Sequence, residues 1–556
     1  MSVRSRSQHV LMPDGVRIAV TLHRPDTTEL VPAVMRATRY WRLAPPEEVD
    51  AFVGAGLALV VVDVRGTGAS FGTWLPGWRR QEIADLAEVV DWLVAQPWCN
   101  GNVGAYGVSY DANTALLLAA EGHPAVKTVV PRFFDFDPFT HISHPGGVLL
   151  QGFISGWSAM IGQLDAGDAE GLLAAAGDTT TTPADLLARM RVDDDADGSL
   201  LTEAFRSHAH NVDVGEYAAA LVDRDESLDG PRQRREELDV SPTFVWAWGS
   251  WFDAGTGAGL VELFAGSSVA QRATVLASNH GGSTPVQALP VPDGAGQQPT
   301  ADQQAEDLLA HFTAVLVRGE APARAGVLEY WVSGSEQWRE TTCWPPEGTR
   351  RTRWWATDTA GLGEMPTSGV LEHLVNDSAT TGADTNRWAT QLGGSAVVYD
   401  DRGKQDGQLL CWTTPPLAEP TLLVGAPGVG VRLAVSATDA ALHAYLEAVT
   451  PDGSVHYLTE GELRLRHRAL CPPAPGAPEP FHAHTADTAR DLEPGVVEQV
   501  ELSLLPLAVE VPAGHRLRLA LAGADAGTFV RIPARGPVTW TVHCDGTWLE
   551  LPISPR

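Results

Sequence analysis

Three short segments of the chain carry the residue types of nucleophilic acyl transfer. Gly107-Val108-Ser109 follows a short apolar run and precedes Tyr110 to Ala120, a stretch rich in Ala and Leu that suits a helix. A serine held in a tight strand-to-helix turn needs small neighbours, and such a turn presents its hydroxyl at the carboxyl end of a sheet. The same turn leaves the backbone N–H of Tyr110 at a helix N-terminus, aimed at a developing oxyanion. A serine also needs a base, and the base needs a group to orient it. Asp253, in Trp251-Phe252-Asp253-Ala254-Gly255, follows the run Thr243 to Trp248; His280, in Ser278-Asn279-His280-Gly281-Gly282, ends the run Ala273 to Ala277. Taken singly, Asp253 reads equally well as a loop cap and His280 as a turn residue. Jointly, in the order Ser, Asp, His and each at a strand end, they favour a triad.

The elements that must hold these groups are legible in the periodicity. His9 to Leu22 alternates apolar and polar residues around Pro13-Asp14-Gly15, the pattern of an antiparallel hairpin at a sheet edge. Ala33 to Met35, Leu57 to Val62, Asn102 to Tyr106, Val126 to Val130, Thr243 to Trp248 and Ala273 to Ala277 are short apolar runs, as expected of parallel strands covered on both faces. Ile83, Leu86, Val90, Leu93 and Val94 recur at helical spacing between two of them. This alternation predicts a doubly wound α/β domain over 1–133 and 239–320, interrupted by a helical cap insertion over 134–238. From Val327 onward helical periodicity fades and alternating runs lie between Pro- and Gly-rich turns, so 321–556 is expected to form an all-β sandwich.

Composition excludes other classes. With 69 acidic and 39 basic side chains the formal charge is −30, a field that repels nucleic-acid backbones and anionic lipid surfaces. No apolar run is long enough to span a membrane. Lys127 and Lys404 are the only lysines, which leaves few candidates for Schiff-base chemistry. The cysteines Cys99, Cys343, Cys411, Cys471 and Cys544 are scattered, without a CxxC pair. Met1 to Gln8 has no apolar leader, so a cytoplasmic location is expected. His141-x-x-His144, His208-x-His210 and His482-x-His484 lack a third ligand at diagnostic spacing. Asp193-x-Asp195-x-Asp197-Gly198 opens like a calcium loop, but its twelfth position is Ala204, which favours a solvated acidic turn.

Beyond the three segments, the chain resembles the cocaine esterase, α-amino acid ester hydrolase and X-Pro dipeptidyl peptidase group of α/β-hydrolases. Met12-Pro13-Asp14-Gly15-Val16-Arg17 with Arg24-Pro25 is similar to that family's opening hairpin, and Asp63 to Gly72 to its D-x-R-G-x-G-x-S-x-G loop. Gly107-Val108-Ser109-Tyr110 resembles its elbow, Trp251-Phe252-Asp253 its acid loop, and Gly156 to Gly162 a cap helix. Tyr330-Trp331-Val332, Trp338-Arg339, Trp344-Pro345-Pro346 and Gly514-His515-Arg516-Leu517 resemble parts of its jelly-roll domain. The resemblance implies Ser109 as nucleophile, His280 as general base, Asp253 as orienter and the Tyr110 N–H as one oxyanion donor. It also implies the Tyr40 hydroxyl, in Thr38-Arg39-Tyr40-Trp41, as the second donor. No cofactor is implied.

The sequence departs from the family pattern in two places. The usual proline before the oxyanion tyrosine is Arg39, and Asp111 and Ala112 stand where a glycine usually follows the serine. Asp111 reads as an exposed first-turn helix acid, or as a charge facing the site. Phe136, Phe139, Phe153 and Trp157 would lie over the carboxyl edge of the sheet if the cap folds back, forming a pocket for an apolar acyl group; the family's cap helix favours Trp157. Asp135, Asp137 and Asp111 are candidates to hold a substrate ammonium only if they face that pocket. The expectation is a serine hydrolase of small-molecule carboxylic esters. The alternatives are an amide or β-lactam side-chain acylase or α-amino acid ester hydrolase, and a binding protein that kept the fold without the chemistry.

Overall fold

The computed structural model describes every residue except Met1, Glu226 and Asp293. Its first sheet has ten strands in the order β1-β2-β4-β3-β5-β6-β7-β8-β9-β10. β1 (Val3–Leu11) and β2 (Arg17–Pro25) form the expected hairpin, and β2 pairs antiparallel with β4 (Ala58–Asp63). β3 (Val31–Thr38), β4, β5 (Cys99–Val108), β6 (Val126–Arg132), β7 (Phe244–Ser250) and β8 (Gln271–Leu276) run parallel.

The central stretches of these strands are apolar because both their faces are covered, and β4 and β7 are buried along their whole length. Along β4, Ala58, Val60 and Val62 enter one core while Leu59 and Val61 enter the other. On β7, Val245 and Ala247 face the first core and Phe244, Trp246 and Trp248 the second. The alternation is the pleat made visible: successive side chains must leave opposite faces. Helices α2 (Arg80–Val94), α3 (Tyr110–Ala120) and, after the insertion, α10 (Thr256–Gly266) cover the first face. The second is covered by α1 (Pro46–Gly54) and α11 (Ala301–Phe312), through Phe52, Leu308 and Phe312.

The insertion between β6 and β7 is helical, as its composition predicts. It holds α4 (Gln151–Ala166), α5 (Ala169–Ala176), α6 (Pro183–Met190), α7 (Ser199–His208), α8 (Val214–Ala220) and α9 (Arg235–Asp239). Several of these start where a short polar side chain caps the first turn: Asp168 accepts from the Gly171 N–H, Thr182 from Asp185 and Asp213 from Glu216. In the acidic turn before α7, Asp195 is buried and takes the N–H groups of Leu200 and Leu201, a helix-start role that accounts for its carboxylate.

The C-terminal region is all-β, an eight-stranded and a four-stranded sheet, with the long strand Thr539–Ile553 pairing four others. One part of the expectation is corrected. β9 (Leu328–Val332) and β10 (Gln337–Thr341), assigned from their alternation to the β-sandwich, instead extend the first sheet, with β9 parallel to β8. An alternating pattern reports that one strand face is buried, not which sheet supplies the neighbour. None of the described helices is long and apolar enough to cross a membrane.

Candidate active site

Ser109 stands alone between β5 and α3, with φ 62° and ψ −124°. A side chain in this left-handed region is strained by about 1–3 kcal/mol and persists only where its surroundings over-determine it. They do so here. The Ser109 N–H donates to the Arg132 carbonyl on neighbouring β6, and its carbonyl accepts from Ala112 and Asn113 in the first turn of α3. Gly107 is required by the same turn, because a Cβ there would lie 2.4 Å from the Asp111 backbone and side chain. As the first residue of α3, Tyr110 has a backbone N–H with no partner in the helix, at the positive end of its dipole.

The acid loop and the histidine loop leave adjacent strands and are laced together. Ser250, the last residue of β7, donates to the Ser278 carbonyl at 2.7 Å and accepts from the Ser278 and Phe252 N–H groups. Asp253 is fully buried, and its Oδ2 lies 2.8 Å from Nδ1 of His280. Burial opposes the imidazolium, but the charge and hydrogen bond of Asp253 outweigh it and raise the His280 pKa above its usual value. That hydrogen bond assigns the Nδ1 proton and leaves Nε2 to act as a base. Among the described residues no hydrogen bond joins His280 to Ser109, whose side chain instead borders the adjacent cavity. Such contacts commonly tighten only when substrate is bound.

That cavity, about 80 Å³, is lined by Ser109, Tyr40, Tyr110, Asp135, Phe153 and Trp157, with further apolar wall from Trp74, Trp78 and the cap helices. Tyr40 comes from the turn after β3, where the adjacent Trp41 takes φ 68°. Its hydroxyl oxygen accepts from the Trp157 indole N–H at 2.9 Å, which leaves the phenolic proton available to the cavity. Burial raises the Tyr40 pKa, so the group is a neutral donor. Tyr110 lies edge-on to it at 6.0 Å, its own hydroxyl donating to Glu82 at 2.5 Å and accepting from Trp74 at 2.9 Å. Burial pushes the Glu82 carboxyl up to about 7.

The acids weighed from sequence separate cleanly. Asp135 faces the cavity with its Oδ1 unpartnered, and burial followed by the nearby charge of Asp253 pushes it up to about 7. Asp137, two residues on, is bridged by Arg224 and Arg232; burial opposes its charge, yet the two guanidinium groups hold it well below the usual carboxylate range. Asp111 is not the exposed helix acid expected: it is 6% exposed, away from the cavity wall, against Arg36 at 3.4 Å. Burial pushes it up to about 6. Arg39, which replaces the usual proline, is fully buried against Asp165 and the face of Trp74.

Two aromatic assignments are corrected. Phe153 and Trp157 line the cavity, stacked at 5.8 Å, but Phe136 and Phe139 do not. Phe136 packs against Gly259 on α10, and Phe139 stacks on His144 at 4.7 Å; both are fully buried in the join between cap and sheet. An aromatic run signals burial without saying on which side of a loop the space lies. Arg65 pairs with Asp85 and Asp14 as expected of a structural loop. Sequence reasoning missed Glu82, Trp74 and Gln391. Gln391 borders the cavity and donates to Asp253 Oδ1 at 2.5 Å, from 138 residues further along the chain, where no local pattern marks it.

Comparison with known proteins agrees with this architecture. Residues 14–282 match the profile of the X-Pro dipeptidyl-peptidase (S15 family), and 322–547 that of the X-Pro dipeptidyl-peptidase C-terminal non-catalytic domain. A Mycobacterium tuberculosis protein named for serine esterase activity is 32% identical over 99% of this chain and 95% of its own. The cocaine esterase of a Rhodococcus species is 26% identical over 96% of this chain and 93% of its own. Among solved structures, a CocE/NonD family hydrolase from Staphylococcus aureus superposes with a TM-score of 0.72 at 16% identity, covering 99% of this chain and 93% of that one. An α-amino acid ester hydrolase gives 0.69 at 18% identity, covering 99% and 96%. With full-length similarity added to the α/β core, inserted cap and C-terminal β-domain, the chain belongs to the CocE/NonD, X-Pro dipeptidyl-peptidase-like family of serine hydrolases.

Proposed function

We propose that the protein hydrolyses carboxylic esters through an acyl-enzyme on Ser109. The observation that carries this reading is the strained Ser109 elbow opening on an apolar cavity, with His280 and its buried partner Asp253 paired on the neighbouring loops. Ser109 Oγ attacks the ester carbonyl while His280 Nε2 takes its proton. The tetrahedral oxyanion takes hydrogen bonds from the Tyr110 N–H and the Tyr40 hydroxyl. Collapse expels the alkoxide, which receives the proton from His280; water then adds to the acyl carbon by the same route, releasing the acid and restoring Ser109. Asp253 accepts the Nδ1 proton in a hydrogen bond and so holds the imidazole in the tautomer that exposes Nε2.

Phe153 and Trp157 favour an apolar or aromatic acyl group, and aryl or alkyl esters without an α-amine should react at least as well as α-amino esters. A second reading has one specific observation behind it: Asp135, unpartnered in the cavity wall, is chemically suited to a substrate ammonium. A preference for α-amino esters of roughly tenfold or more, about 1.4 kcal/mol in the barrier, abolished by Asp135→Asn, would reverse the ranking. The esterase reading itself is tested with a nitrophenyl ester and a fluorophosphonate. Folded wild type should turn over the first and carry the second on Ser109, and absence of label there would refute it.

A further inference from the structure

The base side of the active site is closed by a segment from the C-terminal β-domain. The stretch 386–394 is anchored at its start within that domain: the Asn386 amide donates to Thr381 and Thr528, and the Trp388 indole N–H donates to the buried Glu460. It then reaches into the catalytic domain at every part of the His–Asp pair. The buried Arg387 guanidinium donates to the carbonyls of Trp251 at 2.6 Å and Ala254 at 2.8 Å, and its own carbonyl accepts the Ala254 N–H, so the acid loop is gripped on both sides of Asp253. Thr390 Oγ1 accepts the backbone N–H of His280 at 3.0 Å, and the Gly394 carbonyl accepts from the Asn279 side chain at 2.6 Å. Gln391 Nε2 donates to Asp253 Oδ1 at 2.5 Å.

The last contact has a consequence for chemistry. Asp253 has no exposed surface, so the oxygen that does not face His280 must find a donor inside the protein or remain desolvated and unpaired. Thr256 Oγ1 lies near Oδ2, on the side already used by the imidazole, at 3.3 Å. Gln391 therefore satisfies the free oxygen and sets the carboxyl's rotation toward Nδ1. We propose, building on the esterase reading, that Gln391 is a positioning residue of the active site, supplied by the β-domain, which makes that domain part of the catalytic unit.

The sign of the expected pH effect follows from the hydrogen bond. Without the Gln391 donor the charge of Asp253 is less dispersed over its partners and holds a proton more tightly on His280. That moves the acid limb of kcat/KM to higher pH.

The test compares full-length wild type with Gln391→Met, which keeps the volume and removes the donor. The readouts are thermal unfolding, nitrophenyl ester kinetics across pH and the rate of fluorophosphonate labelling. A folded Gln391→Met should lose roughly tenfold or more in kcat and in labelling rate, as expected for a lost hydrogen bond to a buried charge. Its KM should stay within a few-fold and its acid limb should move up. Should that variant fail to fold, Gln391→Glu, of the same shape but unable to donate when ionised, must show the same loss above neutral pH. Wild-type kcat in either folded variant overturns the proposal, as does a kcat loss in Gln391→Met with an unmoved acid limb. Wild type that never labels on Ser109 would sink the esterase reading and the Gln391 role with it. Normal labelling with an unaltered Gln391→Met sinks the latter alone.

Discussion

The proposed nucleophile and the proposed base are held in different ways. Ser109 is fixed by its immediate neighbours: the carbonyl of Arg132, the first turn of α3, and Gly107, whose missing side chain lets the turn close on Asp111. His280 and Asp253 sit on two loops that are tied to one another through Ser250 and then gripped from outside the catalytic domain by Arg387, Thr390 and Gln391. The serine turn is thus held by its own flanking residues and one adjacent strand, whereas the His280–Asp253 pair also depends on a contact across 138 residues. A rigid turn can be specified by small residues in sequence, but orienting a buried carboxylate requires donors on all its sides, and a single loop has too few.

The largest effect should come from the local side. Ser109→Ala removes the attacking atom and should cut kcat for a nitrophenyl ester by about 10⁴-fold or more. Its unfolding temperature should equal or exceed that of wild type, because Ala relieves none of the contacts that hold the turn and adds no bulk. A variant retaining measurable wild-type turnover would move the nucleophile elsewhere.

Next in size is the oxyanion side, which joins the two modes because Tyr40 is core and its partner Trp157 is cap. Tyr40→Phe deletes only a hydroxyl and should cost ~10²- to 10³-fold in kcat with KM within a few-fold. A near-normal kcat with lowered stability would instead make Tyr40 a packing residue. Trp157→Phe keeps an aromatic wall but removes the N–H that donates to Tyr40. Its loss should be smaller, roughly tenfold or less, the scale of one neutral hydrogen bond, and Tyr40→Phe in that background should add less than it does alone.

The smallest effects are in the pH profile. The His280 base must be neutral to act, and Asp253 raises its pKa, so activity should fall as pH drops through a value above the usual imidazole value of about 6.5. Asp135 contributes to that rise through its own charge. Asp135→Asn should therefore move the acid limb to lower pH, the reverse of the shift expected for Gln391→Met. Parallel shifts in the two variants would break the distinction between a charge that merely adds to the field and a donor that orients the carboxylate.

The two sides also differ in how far the sequence alone specifies them. The strands β3 to β8, the helical insertion and the elbow were legible because each rests on a repeat or turn contained in a short stretch of chain. Asp253 and His280 were legible by order and by their strand-end positions. Phe136 and Phe139 pack away from the cavity although their spacing suggests otherwise, since aromatic content reports burial and not direction. Asp111 was expected on the surface because a first-turn acid complements the helix dipole, but Arg36 from β3 offers it a buried partner.

What the sequence determined by itself was the fold class, the three candidate groups Ser109, Asp253 and His280 and the strand-to-helix turn at Ser109, all of them marked by short segments or by the burial periodicity of single elements. The tertiary structure decided which sheet β9 and β10 join, which of Asp135 and Asp137 faces the cavity and which is neutralised by arginines, and that a glutamine from the β-domain completes the hydrogen bonding of Asp253. Those outcomes depend on which groups meet after distant segments pack, and a charge or an amide carries no mark in sequence of the partner it will find there.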